Sequence, residues 1–297
     1  MLNILFIGLS LSSILLLIAL GLAITYGAMG VINMAHGEMV MVGAYVAVLS
    51  GIWLDANLLV AIPLAFVVTA LLGLAIERVV VRKLYGRMLD TLLATWGVAL
   101  LIQQAVRLEF GLSFFGVHVE GLGPGLQHVT TPAFLQGTFR LAGVELNAYR
   151  TFIILVTAVL ATATWWLVYR TAAGMQVRAI IRNPNMAAAS GIDVKRVNSM
   201  TFAFGSGLAG IAGVLISGIR TVFPDMGPPL VVDGFMVVVT GGVGSLYGTL
   251  LSSALLGEIN ALVAIGTNDI LARAVMFAVV ILVILIKPNG LFSFKER

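Results

Sequence analysis

Long, unbroken runs of apolar residues are the feature of this sequence that most constrains its fold. The runs from Ile4 to Tyr26 and from Leu58 to Ile76 contain no Asp, Glu, Lys or Arg. A helix crosses the hydrocarbon core of a bilayer with about 20 mainly apolar residues, and it satisfies its own backbone hydrogen bonds there. A membrane β-barrel would instead show alternation of polar and apolar residues. The sequence therefore predicts an all-α, polytopic membrane protein.

The composition agrees with this class. Of the 297 residues, 60% are hydrophobic and 10% are charged, whereas soluble domains carry about 25% charged residues. We predict one transmembrane domain, residues 1–297, with about 8–9 transmembrane helices. The candidate spans are Ile4–Tyr26, Met39–Ile52, Leu58–Ile76, Leu92–Ala105, Phe152–Val168, Phe202–Ile219, Phe235–Thr240 joined with Leu250–Ile265, and Val275–Ile286.

Clusters of basic residues predict the orientation of the chain. Cytoplasmic loops carry an excess of Lys and Arg. We therefore expect the basic clusters to be cytoplasmic and the turn-rich segment 110–150 to be external, with the N-terminus periplasmic and the C-terminus cytoplasmic. The first charged residue is Glu38, so the N-terminus is interpreted as a retained span rather than a cleaved signal. The net charge of +4 follows from these loops and does not indicate a nucleic-acid partner. The clusters are Arg78, Arg82, Lys83 and Arg87; Arg170, Arg178, Arg182, Lys195 and Arg196; and Lys287, Lys295 and Arg297.

Two glycine-rich segments interrupt apolar helices in the two halves of the chain. "NMAHGEMVMVGAY" (Asn33–Tyr45) and "TGGVGSLYGTLLS" (Thr240–Ser252) each place a polar turn before an apolar helix, with Gly37-Glu38 aligned to Gly244-Ser245. Paired broken helices are typical of a transporter's central site, where helix N-termini face the solute. The alternative is that these glycines only allow close helix packing. The predicted translocation-pathway residues are Asn33, His36, Glu38, Thr95, Gln103, Gln104, Thr240 and Ser245.

Motifs that resemble catalytic sites do not carry the required residues. "GSGLAG" (Gly205–Gly210) opens an apolar helix rather than following a strand, and its small residues favour helix packing. "GGVGSLYGT" lacks the lysine of a phosphate-binding loop. Cysteine is absent, and His36 with Glu38 alone would leave a metal ion under-ligated. We predict no catalytic residue, no metal site and no cofactor.

Other polar residues flank or enter the apolar runs. A buried carboxylate in a membrane is costly and is a functional candidate, but each of these residues could instead lie at the headgroup level. They are Asp233, Glu258 and Asn260.

The loop at about 170–198 contains a predicted surface helix. Within "IIRNPNMAAASGIDVKRVNSM" (Ile180–Met200), Asn183-Pro184 is typical of a helix start, and Gly191 of a helix end. A short alanine helix anchors poorly on lipid, but its small side chains suit docking on another protein. The alternative is an ordinary amphipathic connector between two spans.

Several of these motifs together resemble one transporter family. "NPNMAAASGIDVKRV", "FAFGSGLAGIAGVL", "YGAMGVINMAHGEMVMVGAY", "VVVTGGVGSLYGT" and "KPNGLF" are similar to segments of the branched-chain amino-acid-type ABC transporter permeases. The resemblance implies a bacterial inner-membrane subunit that hydrolyses no ATP itself. It also implies a second homologous permease subunit, two cytoplasmic ATPase subunits and a periplasmic substrate-binding protein. The coupling residues that it implies are Asn183, Pro184, Met186, Ala187, Ala188, Ala189 and Gly191.

A further segment narrows the resemblance. "LYGRMLDTLLATWGVALLIQQAVR" (Leu84–Arg107) is similar to the first permease subunit of the urea-transport branch. The apolar body also shows few charged groups (Glu38, Arg107, Glu258 and Asp233) that could accompany a zwitterion. The predicted solute is therefore urea. The alternatives are a branched-chain or other amino acid carried by the same kind of importer, or a secondary transporter or channel that works alone.

Overall fold

Helices make up most of the molecule, as the apolar runs predict. The computed structural model describes residues 2–141 and 144–292, so Lys295 and Arg297 of the predicted cytoplasmic C-terminus lie outside the described residues. Within these ranges the α-helices are α1 (Leu2–Met29), α2 (His36–Leu54), α3 (Leu58–Val79), α4 (Met88–Arg107), α5 (Ala148–Arg170), α6 (Ala172–Arg182), α7 (Pro184–Ala189), α8 (Val194–Ser217), α9 (Gly227–Gly241), α10 (Leu246–Gly266) and α11 (Asp269–Ile286).

Seven of the helices in the described ranges are long and apolar enough to cross a membrane. They are α1 to α5, α8 and α10. Two further helices are not among the seven: α9, which has 15 residues, and α11, which has 18. The all-α polytopic class is confirmed, whereas the count of 8–9 spans stays a prediction because it depends on these two helices.

The predicted glycine break between Phe235–Thr240 and Leu250–Ile265 is present, at residues 242–245. The two pieces belong to the separate helices α9 and α10 rather than to one span. Gly242 has φ 101° and Gly244 has φ 75°, and a left-handed backbone of this kind ends a helix at little cost only where there is no Cβ. The chain therefore forms two packed helices here.

Helix α8 lies at the centre of the packing. It is the most buried of the seven spans, because 89% of its apolar 18-residue stretch is buried inside the molecule. A Cβ on Gly213 would overlap the carbonyl of Val40 on α2, and one on Gly205 would lie 2.8 Å from the carbonyl oxygen of Gly21 on α1. The prediction that "GSGLAG" serves close helix packing is confirmed, because only glycine lets these backbones approach.

The segment between α4 and α5 contains structure that the all-α prediction did not include. A two-stranded antiparallel hairpin pairs β1 (Thr138–Leu141) with β2 (Val144–Asn147). Buried Glu109 ties down the start of the segment by accepting hydrogen bonds from His118 Nδ1 at 3.0 Å and from the Val119 amide. These donors lower the pKa of Glu109 below its usual value.

Candidate functional site

The first helix break is a short non-helical segment between α1 and α2. Gly30 has φ 63°, and regular helix resumes at His36. Asn33 Oδ1 accepts a hydrogen bond from the Ala35 amide at 3.1 Å, and His36 Nε2 lies 3.1 Å from the Ile18 carbonyl oxygen of α1. A carbonyl can only accept, so Nε2 of His36 carries the proton. Asn33 and His36 are both buried. Asn33 stabilises the turn of the break itself, and His36 holds the break against α1.

Glu38 lies in the first turn of α2, against the start of α9. The side chain is 1% exposed. A Cβ on Gly227 would come within 2.6 Å of Glu38 Oε1, and a Cβ on Gly37 would overlap the Gly227 carbonyl. Gly227 is the first residue of α9, and the positive end of a helix dipole favours a nearby carboxylate. Glycine at both positions is what lets Glu38 reach this place.

Helix α4 holds both the break and the start of α9. Thr95 Oγ1 accepts a hydrogen bond from the Met34 amide at 3.1 Å. About two turns further along α4, Gln103 Nε2 donates to Asp225 Oδ1 at 2.6 Å, and Arg107 pairs with the same carboxylate at 2.6 Å. Asp225 lies just before α9. The structure thus brings Asn33, His36, Glu38, Thr95 and Gln103 to one connected region. The other predicted glutamine, at position 104, is exposed on a different face of α4.

The second break is part of a different environment. Ser245 Oγ caps α10 by accepting from the Gly248 amide at 3.0 Å, and Thr240 is buried at the end of α9. The closing segment "KPNGLF" covers this turn, where the Leu291 amide donates to the Thr240 carbonyl at 2.8 Å. Gly37-Glu38 lies inside α2, whereas Gly244-Ser245 precedes α10, so the predicted alignment of these two pairs is wrong.

The last turn of α1 touches the second break. A Cβ on Gly27 would lie 3.0 Å from Gly244 Cα and 3.8 Å from Ile181 Cδ1. Ile181 belongs to α6 in the predicted coupling loop. The glycine contact therefore joins the end of α1 to the second break beside this loop, while His36 lies farther back along α1, at the level of Ile18.

The predicted surface helix is present. Asn183 Oδ1 accepts from the Met186 amide at 3.0 Å, Pro184 is the first residue of α7, and Gly191 has φ 85°. The limits of the helix are confirmed, because each end carries the local signal that the sequence shows. Within α7, the side chain of Ala187 is buried. The outward residues are Asn183, Pro184, Met186, Ala188 and Ala189.

A buried polar cluster joins this loop to α3, and the sequence analysis missed it. Glu77 Oε2 accepts from Ser199 Oγ at 2.7 Å and from Arg82 Nη2 at 3.0 Å, and Tyr85 Oη lies 2.5 Å from Glu77 Oε1. Ser199 stands in the second turn of α8, soon after α7. We define Glu77, Arg82, Tyr85 and Ser199 as the α3–α8 latch. The only sequence signal was the basic loop, which was used for orientation alone.

A second missed contact concerns Asp233. It is buried on α9 and accepts from Arg273 Nη2 of α11 at 2.9 Å. Asp233 is therefore a buried and paired carboxylate, whereas its position relative to the headgroups stays a prediction. No spacing rule connects positions 233 and 273, so the pairing could not be predicted.

Comparisons with known proteins agree with this architecture. The family model described as branched-chain amino acid transport system / permease component matches residues 4–284. The high-affinity branched-chain amino acid transport system permease protein BraD of Pseudomonas aeruginosa is 31% identical over 97% of this chain and 94% of its own. The LivH protein of Escherichia coli K12, with the same description, is 30% identical over 98% and 95%.

A more distant relative has a related name. The probable branched-chain amino acid transport permease protein LivH of Methanocaldococcus jannaschii is 27% identical over 94% of this chain and 89% of its own. No solved structure matches the chain. The family model and the relatives cover nearly all of the helices described above, and the chain therefore belongs to the branched-chain amino-acid-type family of ABC importer permeases.

Proposed function

We propose that this permease is the translocation subunit of an importer for branched-chain amino acids. The observation that carries the proposal is the similarity to BraD and LivH, which extends over nearly the full length of each chain. Both relatives carry a branched-chain amino acid transport name. This reverses the order of the two solutes that the sequence analysis favoured.

Urea is the second candidate, supported by the resemblance of Leu84–Arg107 to the urea branch. The argument from uncharged polar groups is weaker in the folded chain. Gln103 and Thr95 already hydrogen-bond within the protein. The argument against a zwitterion is weaker too, because the count of charged groups omitted Arg273, the partner of Asp233.

The coupling arrangement is part of the same proposal. Helix α7 presents small and exposed side chains between two basic stretches, which suits docking on an ATPase subunit. We place α7 in the cytoplasm of a bacterial inner-membrane protein, with the N-terminus periplasmic and the C-terminus cytoplasmic. The assembly contains two ATPase subunits, a second homologous permease and a periplasmic binding protein.

Uptake into proteoliposomes tests the solute. The complete importer, with its cognate binding protein outside and ATP inside, is supplied with radiolabelled leucine or urea. Leucine uptake that requires ATP is expected, with no competition from urea. Saturable urea uptake without leucine uptake would overturn the amino acid assignment in favour of urea, and equal uptake without ATP would contradict the importer itself.

A substitution on α7 tests the coupling. Ala188→Glu puts a charge and added bulk on the exposed face of the helix, so we expect the ATPase to be lost from the purified complex and uptake to fall to background. Ala133→Glu, at an exposed alanine of the segment between α4 and α5, is the control and is expected to keep both. Full uptake by Ala188→Glu would contradict docking through α7.

A further inference from the structure

A cleft between α1 and the last helices contains the Asp233–Arg273 pair and none of the predicted pathway residues. It has a volume of about 490 Å³, within the range of about 300–1,000 Å³ that is typical of small-molecule sites. Its wall is mostly aliphatic, with one aromatic ring. The apolar residues that matter here are Leu11, Ile14, Leu15, Ile18, Leu230 and Phe277.

Three charged side chains lie on the same wall. Asp233 and Arg273 form the ion pair already described, with the Asp233 side chain 8% exposed and the Arg273 side chain 35% exposed. Arg220, just beyond α8, lines the cleft as well and acts electrostatically on Asp233. The wall thus carries two cationic groups and one anionic group beside an apolar surface.

The polar groups of this wall are incompletely paired. Asp233 Oδ2 accepts from Arg273, but the buried Oδ1 has no hydrogen-bond donor within the described part of the chain. An unpaired buried acceptor is costly, because it has lost its hydration without a replacement. The structure therefore presents both an acceptor that lacks a donor and an excess of cationic charge.

We propose that this cleft binds the free amino acid during translocation, an inference that rests on the proposed function. The α-carboxylate pairs with Arg220 and the free N–H groups of Arg273. The Asp233 side chain turns its buried Oδ1 toward the cleft and accepts from the ammonium group, and the branched side chain lies on the aliphatic wall. A branched amino acid supplies an anion, a cation and an aliphatic side chain at once. Urea supplies only uncharged hydrogen-bonding groups, and a simple carboxylate supplies no donor for Asp233 Oδ1.

The position of the cleft suits a solute on its way through. A smaller cavity of about 130 Å³ adjoins it and shares Arg220, Arg273, Ile216 and Leu230. Phe223 and Pro229, in and beside the connection from α8 to α9, line the smaller cavity. The two arginines thus lie between the connection from α8 to α9 and the aliphatic wall, where they can receive a carboxylate first.

Equilibrium binding of radiolabelled leucine to the purified importer in nanodiscs, without the binding protein, tests the inference. Leucine is expected to bind, and urea is expected not to compete. The competitors 4-methylpentanoate and 3-methylbutylamine each lack one charge. Each is expected to bind at least about tenfold more weakly, as the loss of one charge-assisted hydrogen bond predicts. Equal binding by either analogue would overturn the zwitterion model.

A steric variant avoids breaking the ion pair. Ala274 of α11 lines the cleft and is exposed, whereas Ala278, one turn further along, is exposed and outside it. Ala274→Trp should abolish leucine binding and lower ATP-driven leucine uptake at least about tenfold, and Ala278→Trp should change neither. The melting temperature of both variants should match that of the wild type, which separates occlusion from misfolding.

The outcomes distinguish this inference from the proposed function. Leucine uptake that Ala274→Trp leaves unchanged would overturn the binding site while the amino acid importer stands. Failure of the wild type to take up leucine at all would overturn both. The headgroup of an aminophospholipid offers a similar zwitterion, so mass spectrometry of the nanodisc complex is the last arm. A tightly bound phospholipid that leucine does not displace would overturn the inference.

Discussion

Ser199→Ala, in the α3–α8 latch, is the most informative single perturbation of the contact between α3 and α8. Ser199 is 2% exposed, and its hydroxyl lies 2.7 Å from Glu77 Oε2. The substitution removes the hydrogen bond to the Glu77 carboxylate and the one that Ser199 Oγ accepts from Arg82 Nη2 at 2.5 Å, and it adds no bulk. It also removes the contact of Ser199 Oγ with the Lys195 carbonyl within α8. It leaves Tyr85 and Arg82 in contact with Glu77.

The expected loss follows from this geometry. A hydrogen bond to a charged group contributes about 1.5–3 kcal/mol. Alanine has the higher helix propensity by a few tenths of a kcal/mol, which offsets a small part of the loss. We expect a decrease of about 1.5–2.5 kcal/mol in the free energy of unfolding, and a fall of at least about 3 °C in the melting temperature.

A second buried serine of the same helix is the control. Ser217, at the other end of α8, is 3% exposed and donates only to the Val214 carbonyl within its own helix. Ser217→Ala should therefore change the melting temperature by less than about 1 °C. Thermal unfolding of the purified protein in detergent, followed by tryptophan fluorescence, compares the two. Equal melting temperatures for both variants would refute the stabilising role of the latch.

Three further predictions follow from other parts of the structure. Gly213→Ala should lower the free energy of unfolding by about 1–3 kcal/mol, because its Cβ would overlap the Val40 carbonyl. Gly51→Ala, in open space on α2, should be neutral or stabilising by up to about 1 kcal/mol. Chemical unfolding measures both variants, and equal losses would refute the packing argument. Glu109 has a lowered pKa when folded, so its stabilisation is complete above the unfolded pKa of about 4.3 and is lost as the pH falls through the folded value. External protease should therefore cut the segment after α4 faster in mild acid, and a variant with Glu109→Gln should show no such pH dependence; an unchanged wild-type rate would contradict this. Three predicted pathway positions are buried: Asn33, Glu38 and Thr240. A single cysteine at each should resist a small polar thiol reagent at rest and react when an ATP analogue is bound. Inertness in every state would assign these positions to helix packing.

Local properties of the chain explain what could be predicted without a structure. The membrane class follows from the apolar runs, because a helix satisfies its own backbone in lipid and the alternation that a membrane β-barrel needs is absent. The ends of α7 follow from Asn183, Pro184 and Gly191, each of which acts on the backbone within a few residues. Both predictions depend only on composition or on near neighbours along the chain.

Polar pairing was different, because it joins positions that are distant in the sequence. Gln103 meets Asp225 across 122 positions, and Asp233 meets Arg273 across 40. Neither partner could be identified without knowing which helix faces lie together. The prediction of urea was affected most. Some of the uncharged polar groups on which it rested already hydrogen-bond within the protein, and the fold contains charged groups that the sequence analysis had not counted.

The sequence alone was therefore sufficient for the membrane class, for the limits of α7 and for the prediction that glycines allow close helix packing. Only the tertiary structure shows that Glu38 of α2 packs against the start of α9, and that Arg220 and Arg273 line the same cleft as Asp233. The physical reason is that helix propensity and hydrophobicity act residue by residue. The environment of a buried charge is instead set by the packing of several helices at once.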